Sequence, residues 1–346
     1  MQLIVLGLNH KTAPVEIRER FNFSQDRTVR VLRRLRNNDN LNEAVLLSTC
    51  NRTELYMVLE DPAAGLHFIR TLLRHLAGEQ YKPDYFYNLT GINCVRHLFK
   101  VASSLDSLII GEGQILSQIK NAYHLSRSCG MTDTLFNTLF NRAIAVGKRV
   151  RTETKIAYSS VSVSSAAVDL AIDVVGDLTK ANILVLGAGR MSELTARHLI
   201  DKGAKTIFVS NRNLSHAQEL AEKFNGTAIP YNEFMHQAIT SDIIITSTGA
   251  PHYVITEQGV RDIIPKRSGK PLILVDIAVP RDVDPLVGDI EGVTLYNIDD
   301  LEGVVDMNKN FRSSEAKVAE AIIDEEITAL KERLRYLTMR PVMVQL

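Results

Sequence analysis

The chain has 346 residues, 45% of them hydrophobic and 23% charged, which is enough material for two ordinary globular domains. Forty basic side chains balance forty acidic ones, so no overall field draws in nucleic acid or a membrane surface, and a polyanion must find a local patch. Three cysteines (Cys50, Cys94 and Cys129), none in a C-x-x-C pair, argue against a disulfide framework and a thiolate zinc site; no metal is expected, and the reducing cytoplasm is the expected compartment.

The opening "MQLIVLGLNHK" lacks a basic n-region, and no run approaches 18 apolar residues, so neither a signal peptide nor a membrane span is expected. Residues 3–8 (LIVLGL), 44–47 and 54–59 (ELYMVL) read as strands. Between the first two, Thr28 to Arg36 reads as an arginine-rich helix with Val29, Leu32 and Leu35 on one face. From Val95 to Glu153 the apolar residues recur three and four apart, as in helices, and a serine-rich lead-in (159–165) precedes another helix.

The pattern then changes. "ANILVLGAGRMSELTARHLIDKGAKTIFVSNR" reads as strand, glycine turn, helix and strand, followed by apolar strands in "SDIIITSTGAP" and "PLILVDIAVPRD". Strands alternating with helices imply a parallel sheet covered on both faces. The expected architecture is α/β: an N-terminal α/β catalytic domain (1–155), a Rossmann-type NADP-binding domain with a parallel sheet (156–300), and a long C-terminal helix (301–346). In that tail Ala319, Ile323, Ile327, Leu330, Leu334 and Leu337 form a packing seam.

Gly187-Ala188-Gly189 ends a strand and opens a helix, where glycine permits a tight turn and backbone approach to a pyrophosphate. Arg190, Met191 and Ser192 complete the turn, with Ser192 where a third glycine is usual. The next strand ends at Asn211-Arg212, where an NAD site carries an acidic residue; an arginine there suits a 2′-phosphate, so NADPH is the expected cofactor. "TSTGA" (246–250) is expected to approach the cofactor's ribose and nicotinamide.

"VLLSTCNRTE" (45–54) sets Cys50 at the end of an apolar strand among polar residues. A thiol and a hydride donor together suit thioester reduction: hydride adds to the carbonyl, and expulsion of thiolate leaves an aldehyde. If the strand continues, Cys50 and Arg52 share a face, and Arg52 lowers the thiol pKa or clamps a carboxylate. Cys94 and Cys129 read as structural.

"STCNRTE" resembles the active-site signature of glutamyl-tRNA reductases. So do "GLNHKTAPVEIRE" (7–19), "LDSLIIGEGQILSQIK" (105–120), "KRVRTET" (148–154), "GAGRMSELTARHL" (187–199) and "LVDIAVPRDVDP" (274–285). The resemblance implies NADPH-dependent reduction of glutamyl-tRNA(Glu) to glutamate-1-semialdehyde, the start of tetrapyrrole synthesis by the C5 route, with glutamate-1-semialdehyde aminomutase as a partner for product transfer. Carried over by motif, Cys50 is the nucleophile, and His97 matches a histidine the family needs for activity, as acid–base partner or electrostatic aid. Thr49, Asn51, Arg52, Ser107, Glu112, Gly113, Gln114 and Gln118 line the substrate site, with Glu112 facing the substrate ammonium. His10 is expected to be structural. Members of the family carry glycine at Ser104 and often proline at Gly113, and they continue into a helical dimerisation domain, expected here to be absent. Two arginine–lysine runs, Arg27 to Arg36 and Arg142 to Lys155, are candidates for tRNA phosphate contacts. A shikimate-dehydrogenase-like enzyme is the alternative; it predicts a lysine–aspartate pair in the first domain and no use for Cys50. A binding homologue without activity is a further one.

Overall fold

The segment "RTELYMVL" is buried along all 8 of its residues, because helices cover both faces of the sheet that contains it. In the computed structural model, which describes residues 1–77, 82–108, 111–156, 163–301 and 309–343, this strand is β3 (Arg52–Leu59). It pairs antiparallel with β2 (Leu41–Ser48) and β1 (Gln2–Asn9), and β4 (Tyr87–Thr90) joins β1, giving the order β2-β3-β1-β4.

Alternate strand residues enter two cores, as the period of two requires. After the short α1 (Val15–Arg18), α2 (Gln25–Leu35) and α3 (Pro62–Ala77) bring Leu32, Leu35 and Ile69 against Ile4, Leu46 and Met57. On the other face α4 (Gly91–Ala102), α5 (Gln114–Ser128) and α6 (Thr134–Glu153) bring Leu98, Ile119 and Phe140 against Val5, Val45 and Tyr56. The Glu43 carboxylate of β2 accepts from the amides of Asp133 (2.6 Å) and Phe136 (2.9 Å), capping the start of α6.

A second unit spans residues 161–307. Its helices are α7 (Val163–Val175), α8 (Arg190–Asp201), α9 (Leu214–Lys223), α10 (Phe234–Ala238) and α11 (Glu257–Ile263). Its strands β5 (Asn182–Leu186), β6 (Thr206–Ser210), β7 (Thr227–Ile229), β8 (Ile243–Thr246), β9 (Leu272–Asp276) and β10 (Val293–Asn297) form one parallel sheet, ordered β10-β9-β8-β5-β6-β7. The order reverses at β5, the switch point at whose carboxyl end ligands sit in such sheets.

The last helix, α12 (Lys309–Met343), belongs to the first unit, which combines residues 1–160 with 308–346. Ala319, Ile323, Ile327 and Leu330 of the expected seam are buried in the α4–α6 core, together with Ile322; the side chains of Leu334 and Leu337 lie outside the described residues. Arg96–Asp324 (2.5 Å), Lys100–Glu320 (2.8 Å), Arg142–Glu326 (2.5 Å) and Arg149–Glu325 (2.8 Å) flank this seam. Arg151 turns inward and donates to the Glu112 carbonyl at 3.0 Å. Three cations of the Arg142 to Lys155 run are thus engaged within the protein and do not form an open phosphate patch. No helix among the described residues is long and apolar enough to cross a membrane.

Candidate active site

β2 and β3 stay in register to Ser48↔Thr53, and the Thr49 amide donates to the Arg52 carbonyl at 2.8 Å. Cys50 and Asn51 are therefore the two residues of a hairpin turn. The Thr49 hydroxyl accepts from the amides of Asn51 (3.2 Å) and Arg52 (3.1 Å), fixing the turn from inside. This corrects the extended reading: the strand does not run through Cys50, and the same-face argument for Cys50 and Arg52 fails. The cation acting on the thiol is Arg18, whose Nε donates to the Cys50 carbonyl at 3.4 Å. Burial, reinforced by the Glu112 carboxylate, pushes the half-buried Cys50 thiol up to about 12. Attack by this thiol therefore requires loss of its proton to a base.

Arg52 lies beneath the turn, 2% exposed. Its guanidinium donates to Glu54 Oε1 at 2.5 Å, to the Asp106 carboxylate at 3.2 Å, and to the Asp106 carbonyl. Glu54 is the hub of the site. Besides Arg52, its carboxylate takes hydrogen bonds from the hydroxyls of Tyr56 (2.6 Å) and Tyr87 (2.5 Å) and pairs with His97 Nε2 at 2.8 Å. The charges of Arg52 and His97 outweigh desolvation and hold this carboxyl well below the usual range. His97 sits on α4 with Nδ1 4.0 Å from Asp106, which Lys11 also pairs. Glu54, Asp106, Tyr56, Tyr87, Arg18 and Lys11 were not singled out from the sequence. For Glu54 a signal existed, an acidic residue inside a run of buried strand positions; its partners, as far as 43 residues away, left none.

Two buried polar atoms beside the turn, Asn51 Oδ1 and His10 Nδ1, have no hydrogen-bond partner among the described residues. His10 also donates its amide to the Asn51 carbonyl at 3.0 Å. Desolvation, with Arg52 and Lys11 nearby, pushes its imidazole down to about 4.

Ser107 lies half-buried in the loop after α4, whose residues 109–110 are outside the described set. Ser104 takes φ of 59°, the left-handed region that a glycine enters freely, and its hydroxyl donates to the Glu112 carbonyl at 2.7 Å, closing the loop. Burial raises the Glu112 carboxyl above its ordinary value. Gly113 precedes α5 with φ of −68°, an angle that proline shares. Gln114 begins α5 and Gln118 lies one turn further along.

In the second unit Gly187 has φ of 114° and Gly189 precedes α8 without a side-chain cap. A Cβ on Gly189 would meet nothing within 4 Å, so the turn is open on that side. Ser192 is fully buried, and its hydroxyl meets that of Ser247 at 2.7 Å; a small residue packs helix to strand here as a third glycine would. Ala188, Arg190 and Met191 surround the same turn. These residues fit a dinucleotide pyrophosphate. At the end of β6, Asn211 is half-buried and Arg212 is exposed, with Nη2 3.3 Å from His252 Nε2. In the "TSTGA" stretch the Thr246 hydroxyl donates to Asp276 at 2.8 Å and the Thr248 hydroxyl to Asp282.

A family model described as "Glutamyl-tRNAGlu reductase, N-terminal domain" matches residues 6–154, and one described as "Shikimate / quinate 5-dehydrogenase" matches residues 169–304. Among curated relatives, the glutamyl-tRNA reductase of Trichlorobacter lovleyi is 45% identical over 349 residues, covering 100% of this chain and 80% of its own length. That of Syntrophotalea carbinolica is 46% identical, covering 100% and 79%. Among solved structures, glutamyl-tRNA reductase from Methanopyrus kandleri superposes with a TM-score of 0.53 at 36% identity, covering 99% of this chain and 82% of that one.

Proposed function

The chain belongs to the glutamyl-tRNA reductase family, whose reaction is the first step of C5 tetrapyrrole synthesis, and we propose that it runs this reaction with Cys50 as acyl carrier and NADPH as cofactor. It is an oxidoreductase acting on an acyl group. The observation that supports the residue assignment is the hairpin turn itself: a thiol at its tip, with Asn51 Oδ1 and His10 Nδ1 beside it, buried and without a partner among the described residues. Buried polar atoms left open at a site are groups that a ligand satisfies.

The Cys50 sulfur attacks the ester carbonyl of glutamyl-tRNA(Glu), a C–S bond forms, and the C–O bond to the terminal ribose breaks; the thiol proton goes to the departing hydroxyl. Bound NADPH supplies the hydride that takes the thioester to the aldehyde level. Cleavage of the C–S bond then returns Cys50 as thiolate, which takes up one proton, and releases glutamate-1-semialdehyde. Glu112 holds the substrate ammonium, as a buried carboxylate suits. A substrate carboxylate reaches Arg52 by exchanging with the Asp106 carboxylate that holds it now. His97, fixed by Glu54, is the acid–base group of the site. Arg212 and Asn211 hold the 2′-phosphate side of NADPH, and the Gly187–Ser192 turn holds its pyrophosphate. The enzyme works in the cytoplasm, where a free thiol persists, and transfers its aldehyde to the aminomutase.

The Lys11–Asp106 ion pair is an observation that favours a shikimate-dehydrogenase-like reading, which expects such a pair in the first domain. One experiment separates the two. Incubated with labelled glutamyl-tRNA without NADPH, the protein and Cys94→Ser should carry label in a hydroxylamine-sensitive bond and Cys50→Ser should carry none; with NADPH added, the first two should form semialdehyde and Cys50→Ser should not. Normal turnover by Cys50→Ser would make Cys50 a packing residue and overturn the mechanism.

A further inference from the structure

Beside the catalytic hairpin the first unit has a groove of about 610 Å³, with β2 as its floor and α2 and α5 as its walls. Ser48 lies at its edge, two residues before Cys50, so the groove begins within about 7 Å of chain from the nucleophile. Gln118 of the substrate segment lies in its wall. The remaining lining is mostly uncharged and polar, with Gln25, Asn121, His124 and Ser128 among it, and includes no aspartate or glutamate.

The rim on the α2 side is basic. Arg36, three turns beyond the lining residue Gln25, shares its face, and Arg33 and Arg30 continue from it in steps of three residues toward the outer side of α2. All three are exposed, and none has an ion pair among the described residues. That distinguishes them from the cations of α4 and α6, which pair with α12. An arginine row left without acidic partners beside a neutral polar groove is suited to a strand of phosphates with unstacked bases.

We infer that this groove receives the single-stranded 3′ end of the tRNA, with Arg30, Arg33 and Arg36 on its phosphates and the Gln25, Asn121 and His124 side chains on its last bases. The inference rests on the glutamyl-tRNA reductase reading. The ester to be attacked is on the terminal ribose, so the nucleotides preceding it must leave the Cys50 site by a path along the protein. This groove is such a path, it starts at the hairpin, and it has the charge that a phosphate strand needs.

The test uses the full chain and the triple variant Arg30→Gln/Arg33→Gln/Arg36→Gln, exposed positions where glutamine keeps helix propensity. For glutamyl-tRNA the variant should raise KM about tenfold or more, and the slope of log affinity against log salt should fall by about 2, as for three lost single-strand phosphate contacts. Acylation of Cys50 by a small aryl ester of glutamate should match wild type, which also reports an intact fold. Uncharged tRNA lacking its last two nucleotides should bind wild type more weakly than intact tRNA. In the variant the loss on trimming should be smaller than in wild type, because the phosphate contacts are already gone while those of Gln25, Asn121 and His124 remain. Wild type that is never acylated by glutamyl-tRNA would overturn the functional reading. Normal acylation of wild type, with KM, salt slope and trimming response unchanged in the variant, would overturn the groove alone and assign it to another occupant.

Discussion

Replacing Glu54 by glutamine removes one charge from the centre of the site while keeping its volume. Four groups aim donors at this carboxylate: Arg52 at 2.5 Å, Tyr56 at 2.6 Å, Tyr87 at 2.5 Å and His97 at 2.8 Å. A glutamine amide offers one acceptor in their place and turns an NH2 toward donors. Removing one partner of a buried ion pair costs about 3–5 kcal/mol; Asp106 remains 3.2 Å from Arg52, so the lower end, about 3 kcal/mol, applies. Against a total of about 5–15 kcal/mol this is readily measured by urea unfolding. The sign with pH is fixed. Glu54 has its carboxyl depressed in the fold, so its contribution is present above the unfolded value of 4.5 and is lost as pH falls below it. The stability gap between wild type and Glu54→Gln should therefore shrink by about 1 kcal/mol between pH 7 and pH 3.5. A gap under about 1 kcal/mol at pH 7, or one that stays constant down to pH 3.5, would refute an ionised hub.

Arg212→Asp should weaken NADPH and relatively improve NADH, measured as the ratio of the two dissociation constants; a wild type that binds both equally contradicts the 2′-phosphate assignment. His10, held down to about 4, is neutral in the fold, so stability is present above the unfolded value of 6.5 and is lost as pH falls toward 4, by up to about 3 kcal/mol. His10→Asn should flatten this part of the unfolding curve, and an unchanged slope between pH 6.5 and pH 4 would show that another group is responsible. Gly187→Ala would set a Cβ 2.9 Å from the Ser247 carbonyl oxygen at φ of 114°, costing about 1–3 kcal/mol and weakening NADPH; an unchanged melting temperature would contradict the close packing of this turn.

The apolar runs at 3–8, 44–47 and 54–59 were legible as strands because each fills a core face with aliphatic residues, and "NILVLGAG" because strand, turn and helix follow one another in one stretch. The turn at Cys50-Asn51 was missed for a physical reason. Its signal is the Thr49 hydroxyl bonding two amides, and threonine also favours strands. α3 and β4 passed unread between stronger patterns. The Arg142 to Lys155 run read as open to phosphates because, besides Glu153 beside Arg149, the carboxylates that pair with Arg142 and Arg149 lie far along the chain, as the separation of 177 between Arg149 and Glu326 shows. Glu54 was in plain view within the signature, but a charge acquires its role from its partners, and those are set by the fold.

α12 gives the first unit a particular order of manufacture. On the ribosome, residues 1–160 emerge first, with the strip of α4 and α6 that will hold Ala319, Ile323 and Ile327 still uncovered. Residues 161–307 emerge next, carry a core of their own, and can fold while the first unit waits. Only when the helix beyond residue 308 appears does the waiting strip find its cover. A nascent chain stalled near residue 300 would therefore show a bare apolar seam to the chaperones, next to an otherwise finished neighbour, and quality control would read that seam as the mark of an incomplete enzyme.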